Sequence, residues 1–485
     1  MPSVNFMRPE LTKRRRDYQL INDALAGEQT IKSKKETYLP APQSLKDDEG
    51  RDRYASYLTR AVFYNVTART RQGLLGQLFS RSPQIDVPDY LQGTVANMDG
   101  LGVNATQQCK TTSGEVVALG RAGLLSDFPT IEEGREVTRA DLLSGRVSPT
   151  ITFYPATQVI NWRYYRDFET KKLIFVILEE RREIYKPNDY AYSVGKQWRV
   201  LRLDDSGFYI QELYFDNSSD PVRKFTPVDF DGNRLDHIPF EFIGSENNDP
   251  DLDEAPMYSI AALNIAHFRN SADFEDSLFF VGQPTVALMG LTQAWLTQNL
   301  GGTIRLGSRN AIPLPGGADI KLVQAEPNNL AKEGMEQKER QMVALGAKLV
   351  ENRQVQRTAT EASQEESAET STLATIADNT SVAYAQAFAN CARFVSGEEP
   401  KIDFKINTAF EITTLDAPTR LQTIKEWQLG AIGFTEMRAV LRRGGIATLT
   451  DAQAKAAIAE DEKLRAAQAA AQDPAQVNEP TGNGE

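Results

Sequence analysis

The chain has 485 residues and a net charge of -12, with 41% hydrophobic and 25% charged residues. These totals are ordinary for a soluble protein of two or three domains, and no apolar run of about 18 residues predicts a membrane span. The acidic balance argues against broad, tight binding to nucleic acid, which needs clustered Lys and Arg side chains.

The few cysteines and histidines predict no metal site and no disulfide framework. Cys109 and Cys391 are the only cysteines and have no CxxC spacing, and His237 and His267 are the only histidines. Zinc sites and imidazole-based catalysis draw on more of these residues at closer spacing. We therefore expect no metal and no cofactor. The first residues also lack the apolar segment of a secretory signal.

The N-terminal part is predicted to be helical. Lys13 to Arg16 form a basic cluster, which is either a solvated helix face or an arm that contacts phosphate or a partner. Apolar residues at helical spacing predict one amphipathic helix over residues 52–80. A further helix over about 104–123 contains Cys109, which we expect to be a small buried hydrophobe.

Residues 136–243 are predicted to be mostly β. The expected strands are 149–154, 159–165, 173–180, 197–203, 208–215 and 238–243, and the pair around Asp204–Gly207 is expected to form a hairpin. Trp162, Tyr164 and Tyr165 are either core aromatics of an antiparallel sheet or a stacking platform for bases.

The stretch from Met257 to Glu399 has an unusual plan of long helices around a Gly/Pro-rich insert. A helix over 257–282 begins after an acidic, Pro-containing entry and ends at Gly282. At 1.5 Å per residue, its ~25 residues span roughly 37 Å. Residues 285–324 contain short strands with little core of their own, so we expect a neighbouring chain to complete them. Helices over 327–350 and 360–396 follow.

A polar break separates the last two of these helices. It contains Arg353, Gln354, Gln356 and Arg357. Side chains of these types suit transient contact with phosphate, although an ordinary polar loop has the same composition. Beyond the third helix we predict a strand over 401–406 and helices over about 419–430, 435–443 and 451–472. Residues 473–485 are expected to be disordered.

Several segments in this order resemble those of the portal proteins of tailed bacteriophages. The resemblance covers roughly residues 50–445, and the order of the elements is more specific than any single motif. The matching segments are YLTRAVFYNVTARTRQGLLGQLFSRSP, GRAGLLSDFP, YPATQVINWR, DFEDSLFFVGQPT and TATEASQEESAETSTLATIADNTSVAYAQAF.

The resemblance implies an α+β, portal-type subunit with a mixed α/β wing, paired stem helices, a small α/β clip, a long kinked helix and a helical crown. The implied parts are a wing (1–252), a first stem helix (253–281), a clip (282–326), a second stem helix (327–350), a tunnel loop (351–359), a long wing helix with a strand (360–415), a crown (416–472) and the tail (473–485).

The resemblance also implies a function and partners. About twelve subunits would form a ring at one capsid vertex of the virion, assembled in the cytoplasm of the bacterial host. Double-stranded DNA would pass through the channel without sequence specificity during packaging and ejection. The terminase large subunit, the major capsid protein and head-tail adaptor proteins would be partners, with no membrane involved.

The implied site residues lie in two places. Arg353, Gln354, Gln356 and Arg357 of the tunnel loop would face DNA. Trp295, Arg305 and Arg309 of the clip would dock the terminase or an adaptor. No catalytic residue and no metal ligand is implied.

Two alternatives stay open. Another structural head-tail connector is one, although adaptors are usually much shorter. A carboxylate-dependent hydrolase is the other, based on the pairs Glu179–Glu180, Glu365–Glu366 and Glu398–Glu399. Adjacent carboxylates on a strand or helix usually point apart, and the sequence has no P-loop, HExxH motif or nucleophile elbow.

Overall fold

A computed structural model describes much of the chain. The described residues are 4–128, 147–166, 171–185, 190–216, 218–282, 285–290, 292–300, 314–323, 330–350, 371–397, 400–408, 410, 417–443, 447, 451, 453–460 and 463. They fall into a first unit, Met1–Thr408, and a second unit, Ala409–Glu485. The first unit combines helices with antiparallel sheets, so the predicted α+β class is confirmed.

The N-terminal part of the first unit is helical. Its elements are α1 (Pro9–Ala26), α2 (Glu28–Ser33), α3 (Asp48–Arg60), α4 (Val66–Leu78), β1 (Gln84–Asp86), α5 (Gln92–Ala96) and α6 (Ala105–Leu119). Asn104 and Gln107 form a capping box at the start of α6, which satisfies backbone N–H groups that have no partner within the helix. Cys109 on α6 and Cys391 are both fully buried.

The prediction of one continuous helix over residues 52–80 is wrong. α3 ends at Arg60 and α4 begins at Val66. Asn65 is the N-cap of α4, and its side chain accepts from the backbone N–H of Ala68 over 3.0 Å. The apolar pattern continues through the break because residues on both sides of it are buried.

Two antiparallel sheets form the β-rich part. The first has the order β3 (Thr150–Pro155), β2 (Arg121–Asp127) and β9 (Phe240–Gly244). The second has the order β4 (Val159–Arg166), β5 (Lys171–Tyr185), β6 (Tyr192–Leu203), β7 (Tyr209–Phe215) and β8 (Arg223–Phe225). β6 and β7 form the predicted hairpin, and Gly207 in its turn has a φ of +83°, which glycine adopts without steric cost.

A shared core joins the two sheets. Trp162, Val176, Leu201, Phe240 and Phe242 belong to it, together with Phe394 and Val395 near the end of a long helix. Trp162 is only 2% exposed, and its ring packs edge-on against that of Phe242 with centroids 6.3 Å apart. The interpretation of Trp162 as a core aromatic is therefore confirmed, because its faces are not open to a base.

The remaining elements of the first unit follow in sequence. They are α7 (Tyr258–Gly282), β10 (Thr285–Met289), α8 (Gln293–Leu300), β11 (Asp319–Val323), α9 (Leu330–Lys348), α10 (Thr372–Val395) and β12 (Asp403–Lys405). β12 pairs antiparallel with β1. The apolar stripe of α10 packs on α6 and on the first sheet.

The predicted start of the third long helix at Thr360 is wrong. α10 begins at Thr372, and Ser371 is its N-cap, with a side chain that accepts from the backbone N–H of Ala374 over 3.2 Å. Ser371 has an extended backbone, so the helix does not continue through it from earlier residues. The predicted helix between 360 and 370 lies outside the described residues.

The second unit contains α11 (Ala417–Gln428) and α12 (Phe434–Arg443). The rings of Trp427 and Phe434 pack edge-on with centroids 6.0 Å apart, which holds the two helices together. Residues 453–460 are helical, as predicted, and the rest of the predicted helix to 472 and the tail 473–485 lie outside the described residues. No helix in the described part of the chain has the length and apolarity to cross a membrane.

Candidate functional site at the helix pair

The helices α7 and α9 lie side by side and run antiparallel. His267 Nε2 of α7 lies 3.1 Å from Glu339 Oε1 of α9. Gly334 of α9 lies opposite Asn270, because a Cβ built on Gly334 would come within 2.8 Å of Asn270 Nδ2. As the residue number rises along α7 it therefore falls along α9. His267 is buried in this contact, so it packs the helix pair together.

Asn264 anchors α7 to the N-terminal helices. Its side-chain oxygen accepts from the backbone N–H of Thr67 over 3.1 Å and from the Thr67 hydroxyl over 2.8 Å. Its side-chain nitrogen donates to the carbonyl oxygen of Tyr64 over 2.8 Å. Asn264 is fully buried, so each of these bonds replaces water that the site excludes.

Ser271 repeats this arrangement two turns later. Its hydroxyl donates to the carbonyl oxygen of Val62 over 2.7 Å, and the backbone N–H of Val62 donates to it over 3.0 Å. Together, Asn264 and Ser271 satisfy backbone groups of the segment between α3 and α4. The backbone groups of that segment have no hydrogen-bond partner within a helix, and side chains of α7 bond to them instead.

Two carboxylates further along α7, those of Asp273 and Asp276, also bond to side chains of α3. The Tyr57 hydroxyl donates to Asp273 Oδ1 over 2.6 Å. Asp276 accepts from Arg53 Nη1 over 2.7 Å and from Arg60 Nη2 over 3.0 Å, and Arg53 Nη2 makes a second, short bond to it. The hydrogen bond from Arg53, followed by the charges of Arg53 and Arg60, holds the pKa of Asp276 below its usual value.

Beyond Asp276, α7 presents aromatic side chains to solvent. Leu278, Phe279 and Phe280 are all exposed, and Phe280 is 58% exposed. The guanidinium groups of Arg53 and Arg60 lie over the rings of Phe280 and Phe279, at 5.1 and 4.1 Å from the centroids. The end of α7 is therefore held by side chains of α3 but not covered by them.

A small module follows the end of α7. β10 and β11 pair antiparallel over their whole length, from Thr285 with Val323 to Met289 with Asp319. α8 lies between them in sequence and contains Trp295, which is half-buried. A two-stranded sheet is marginal in water without further packing. The structure thus describes Trp295 of the predicted docking residues, whereas Arg305 and Arg309 lie outside the described residues.

At the other end of the pair, α9 ends beside the start of α10. The backbone N–H of Leu373 donates to the carbonyl oxygen of Leu349 over 3.1 Å. The chain therefore leaves α9 and enters α10 at one place. All four predicted DNA-facing residues fall in the intervening segment, residues 351–370. Arg353, Gln354, Gln356 and Arg357 lie outside the described residues.

The charges of the helix pair are nearly balanced. α9 carries Lys332, Lys338, Arg340 and Lys348 against Glu333, Glu336 and Glu339. α7 carries Asp273, Glu275 and Asp276 against Arg269. The acidic surplus of the chain therefore comes mainly from other elements.

Glu179 and Glu180 each form an ion pair with a basic side chain of β6. Glu179 Oε1 accepts from Lys196 Nζ over 2.6 Å, whereas Glu180 accepts from Arg199 Nε and from the Tyr154 hydroxyl, each over 2.6 Å. The two side chains leave the strand on opposite faces, as expected for neighbours in a strand. Within the described residues, no group of three or more His, Cys, Asp or Glu side chains could hold a metal ion.

The apolar pattern of α7 does not predict that polar residues of this helix are buried. Asn264, His267 and Ser271 are all buried. Their spacing of three and four residues puts them on one helix face, and this spacing was the available signal. It was missed because polar residues on a helix more often face solvent.

A family model covers the region that contains this helix pair. The family is described as "Domain of unknown function (DUF4055)", and its model matches residues 256–395, less than half of the chain. No curated protein matches the chain.

Solved structures from gene transfer agent (GTA) particles resemble the chain, each at 14% sequence identity. A chain of "Neck of empty GTA particle computed with C6 symmetry" is similar over 81% of this chain and 93% of that chain, with a TM-score of 0.38. For "Virion of native gene transfer agent (GTA) particle" the shares are 82% and 94% and the TM-score is 0.37. For "Neck of native GTA particle computed with C12 symmetry" they are 79% and 92%, with a TM-score of 0.39.

Proposed function

We propose that the chain is a portal subunit, of which about twelve form a ring-shaped channel for double-stranded DNA at one capsid vertex. The proposal joins the sequence resemblance to one structural observation. An antiparallel helix pair, α7 and α9, has a small two-stranded module at one end, and at the other end Leu349 and Leu373 are in contact on either side of residues 351–370. In a portal subunit these parts would be the stem, the clip and the tunnel loop.

The anchoring of α7 supports a role as a wall. Asn264, Ser271 and Asp276 fix one side of α7 to the N-terminal helices. A helix in the wall of a channel must keep its orientation while DNA moves past it. Hydrogen bonds from buried or partly buried side chains resist bending of the helix more than apolar contact does. The nearly balanced charge of the pair suits passage of DNA, because a strongly basic wall would retain it.

The other proposed parts follow from the same comparison with portal proteins. The wing comprises residues 1–252 and 360–415, and the crown comprises 416–472. The tunnel loop, 351–359, would face DNA with Arg353, Gln354, Gln356 and Arg357. The clip, 282–326, would dock the terminase large subunit during packaging and a head-tail adaptor afterwards, with Trp295, Arg305 and Arg309 as contacts.

The proposed place is the virion, at the vertex where the wing meets the major capsid protein, after assembly in the host cytoplasm. No chemistry is assigned to the chain in this role. The chain would form the wall of the channel and provide surfaces on which partner proteins dock.

The mass of the purified assembly tests the proposal. A ring of about twelve chains of 54.0 kDa has a mass of roughly 650 kDa. Native mass spectrometry and negative-stain images should show a closed ring with a central opening. A monomer or dimer under all salt and protein concentrations would overturn the proposal.

A further inference from the structure

The outer face of the five-stranded sheet, opposite the shared core, contains a cavity of about 730 Å³. The alternation of the strands defines this face. Trp162 and Val176 point to the core, whereas their neighbours Arg163, Phe175 and Ile177 line the cavity. Pockets for small molecules and peptide side chains fall in the range of about 300–1,000 Å³. The cavity therefore has the size of a binding site.

The floor of the cavity is apolar. Ile177, Trp198 and Val200 are each less than a tenth exposed, and Phe175 and Tyr214 add aromatic surface beside them. Such a floor favours an apolar side chain over water.

Two hydrogen-bond donors that line the cavity, on Arg163 and Trp198, have no acceptor among the described residues. Both oxygens of Glu212 accept from Arg202, over 2.8 and 3.1 Å, and Asp216 Oδ2 accepts from the backbone N–H of Lys196 over 2.8 Å. By contrast, Arg163 lies over the Phe175 ring at 5.2 Å and makes no ion pair with a described carboxylate. The buried indole N–H of Trp198 has no acceptor among the described residues.

We infer that this cavity binds a peptide segment of a partner protein in which a carboxylate stands next to an aromatic or aliphatic side chain. The apolar side chain occupies the floor. The carboxylate accepts from Arg163, whose guanidinium makes no ion pair with a described carboxylate, and charge-assisted bonds of this type are about twice as strong as neutral ones.

Residues 4–6 of the chain line the cavity, so a bound peptide lies against an existing peptide segment, which favours a peptide over a free fatty acid. Val4, Asn5 and Phe6 form one wall, and Phe6 is 48% exposed, so its ring fills the site only in part. The backbone N–H of Arg8 donates to the carbonyl oxygen of Ile160 over 3.1 Å, so this segment runs beside the edge strand β4. The inference does not depend on the ring or on DNA.

Calorimetric titration of the full chain with short peptides tests the inference. The probe is acetyl-Gly-Asp-Phe-Gly-amide, and the matched controls carry Asn for Asp or Gly for Phe. We expect the Asp peptide to bind at least about tenfold more tightly than the Asn peptide, which corresponds to one charge-assisted bond. The peptide without a ring should bind at least about tenfold more weakly as well, because it leaves the floor empty.

The variant Arg163→Gln separates the proposed contact from general charge effects. It should reduce the preference for Asp over Asn to less than about twofold. The control Arg181→Gln removes an exposed arginine of β5 that does not line the cavity, and it should retain the full preference. Absence of saturable binding, an unchanged preference in Arg163→Gln, or decanoate binding as tightly as the Asp peptide would each overturn the inference.

Discussion

The backbone N–H of Leu373 donates to the carbonyl oxygen of Leu349, so the end of α9 and the start of α10 are in direct contact. Residues 351–370 therefore connect two points of the chain that are in contact. A segment that joins two points in contact can be shortened without moving either helix.

Replacement of residues 351–370 by a four-residue Gly/Ser linker should therefore leave the fold intact. We expect the thermal midpoint to change by less than about 2 °C, since neither helix end has to move. Differential scanning calorimetry and the assembly mass of the shortened chain measure this. Loss of the fold or a much lower midpoint would show that the segment holds the helices in place.

The double substitution Arg353→Ala with Arg357→Ala tests the proposed contact with DNA. Each arginine that contacts phosphate contributes to a salt-dependent, sequence-independent affinity. We expect normal assembly but impaired packaging or retention of DNA in particles that carry the variant. The measure is the DNA content per particle.

A matched control removes the same amount of positive charge elsewhere. Lys46 and Arg181 are exposed, and their replacement by alanine should leave the DNA content unchanged. An equal loss of DNA in both variants would mean that overall charge, and not the loop, matters. Failed assembly of the Arg353 and Arg357 variant would make the loop structural.

Substitution of Asn264 by alanine should destabilise the first unit. It leaves the backbone N–H and hydroxyl of Thr67 and the carbonyl oxygen of Tyr64 without these partners in a buried place. The expected loss is about 2–5 kcal/mol in the free energy of unfolding, measured by urea titration. Asn22 is exposed on α1, and its replacement by alanine should cost less than about 0.5 kcal/mol. Equal effects would contradict the anchoring role.

Asp276→Asn should destabilise the chain in a pH-dependent way. Hydrogen bonds from Arg53 and Arg60 lower the pKa of Asp276 in the folded state. The stabilisation is therefore complete above the unfolded pKa of about 3.9 and is lost as the pH falls through the lower folded pKa. At pH 7 we expect the variant to be less stable by about 1–3 kcal/mol.

The difference between the wild type and this variant should shrink as the pH falls below about 4. Urea titrations at a series of pH values measure it. Among the described residues Asp48 pairs with Arg51, one turn away, and its side chain is 95% exposed, so Asp48→Asn serves as the control. A difference for Asp276→Asn that stays constant down to pH 2 would contradict the ion-pair explanation.

The elements that could be predicted from sequence are those with local boundaries. α7 follows Pro256 and ends at Gly282, within a residue of the prediction, and β10 and β11 lie within the region 285–324 that was predicted to contain short strands. The alternation of residues also located β6 and β7. These signals act through the conformational limits of proline and glycine and the period of a strand, which need no tertiary partner.

The elements that were missed depend on residues far away in sequence. The break after Arg60 is stabilised by Asn264 and Ser271, about two hundred positions later. No local sequence pattern therefore predicts the break. For α10, Thr360 and Ser371 are both acceptable caps. Ser371 directly precedes the buried stripe that begins at Leu373, and this position could have decided between them.

Because Cys109 and Cys391 are buried, an introduced cysteine can be labelled with thiol reagents without first removing these two residues. Both thiols are fully buried, and removal from water raises the pKa of each well above its usual value. Reagents that attack thiolates should therefore react slowly with either. A single cysteine introduced on an exposed surface could carry a fluorescent dye, and distances between labelled copies could then be followed without altering the native sulfur atoms.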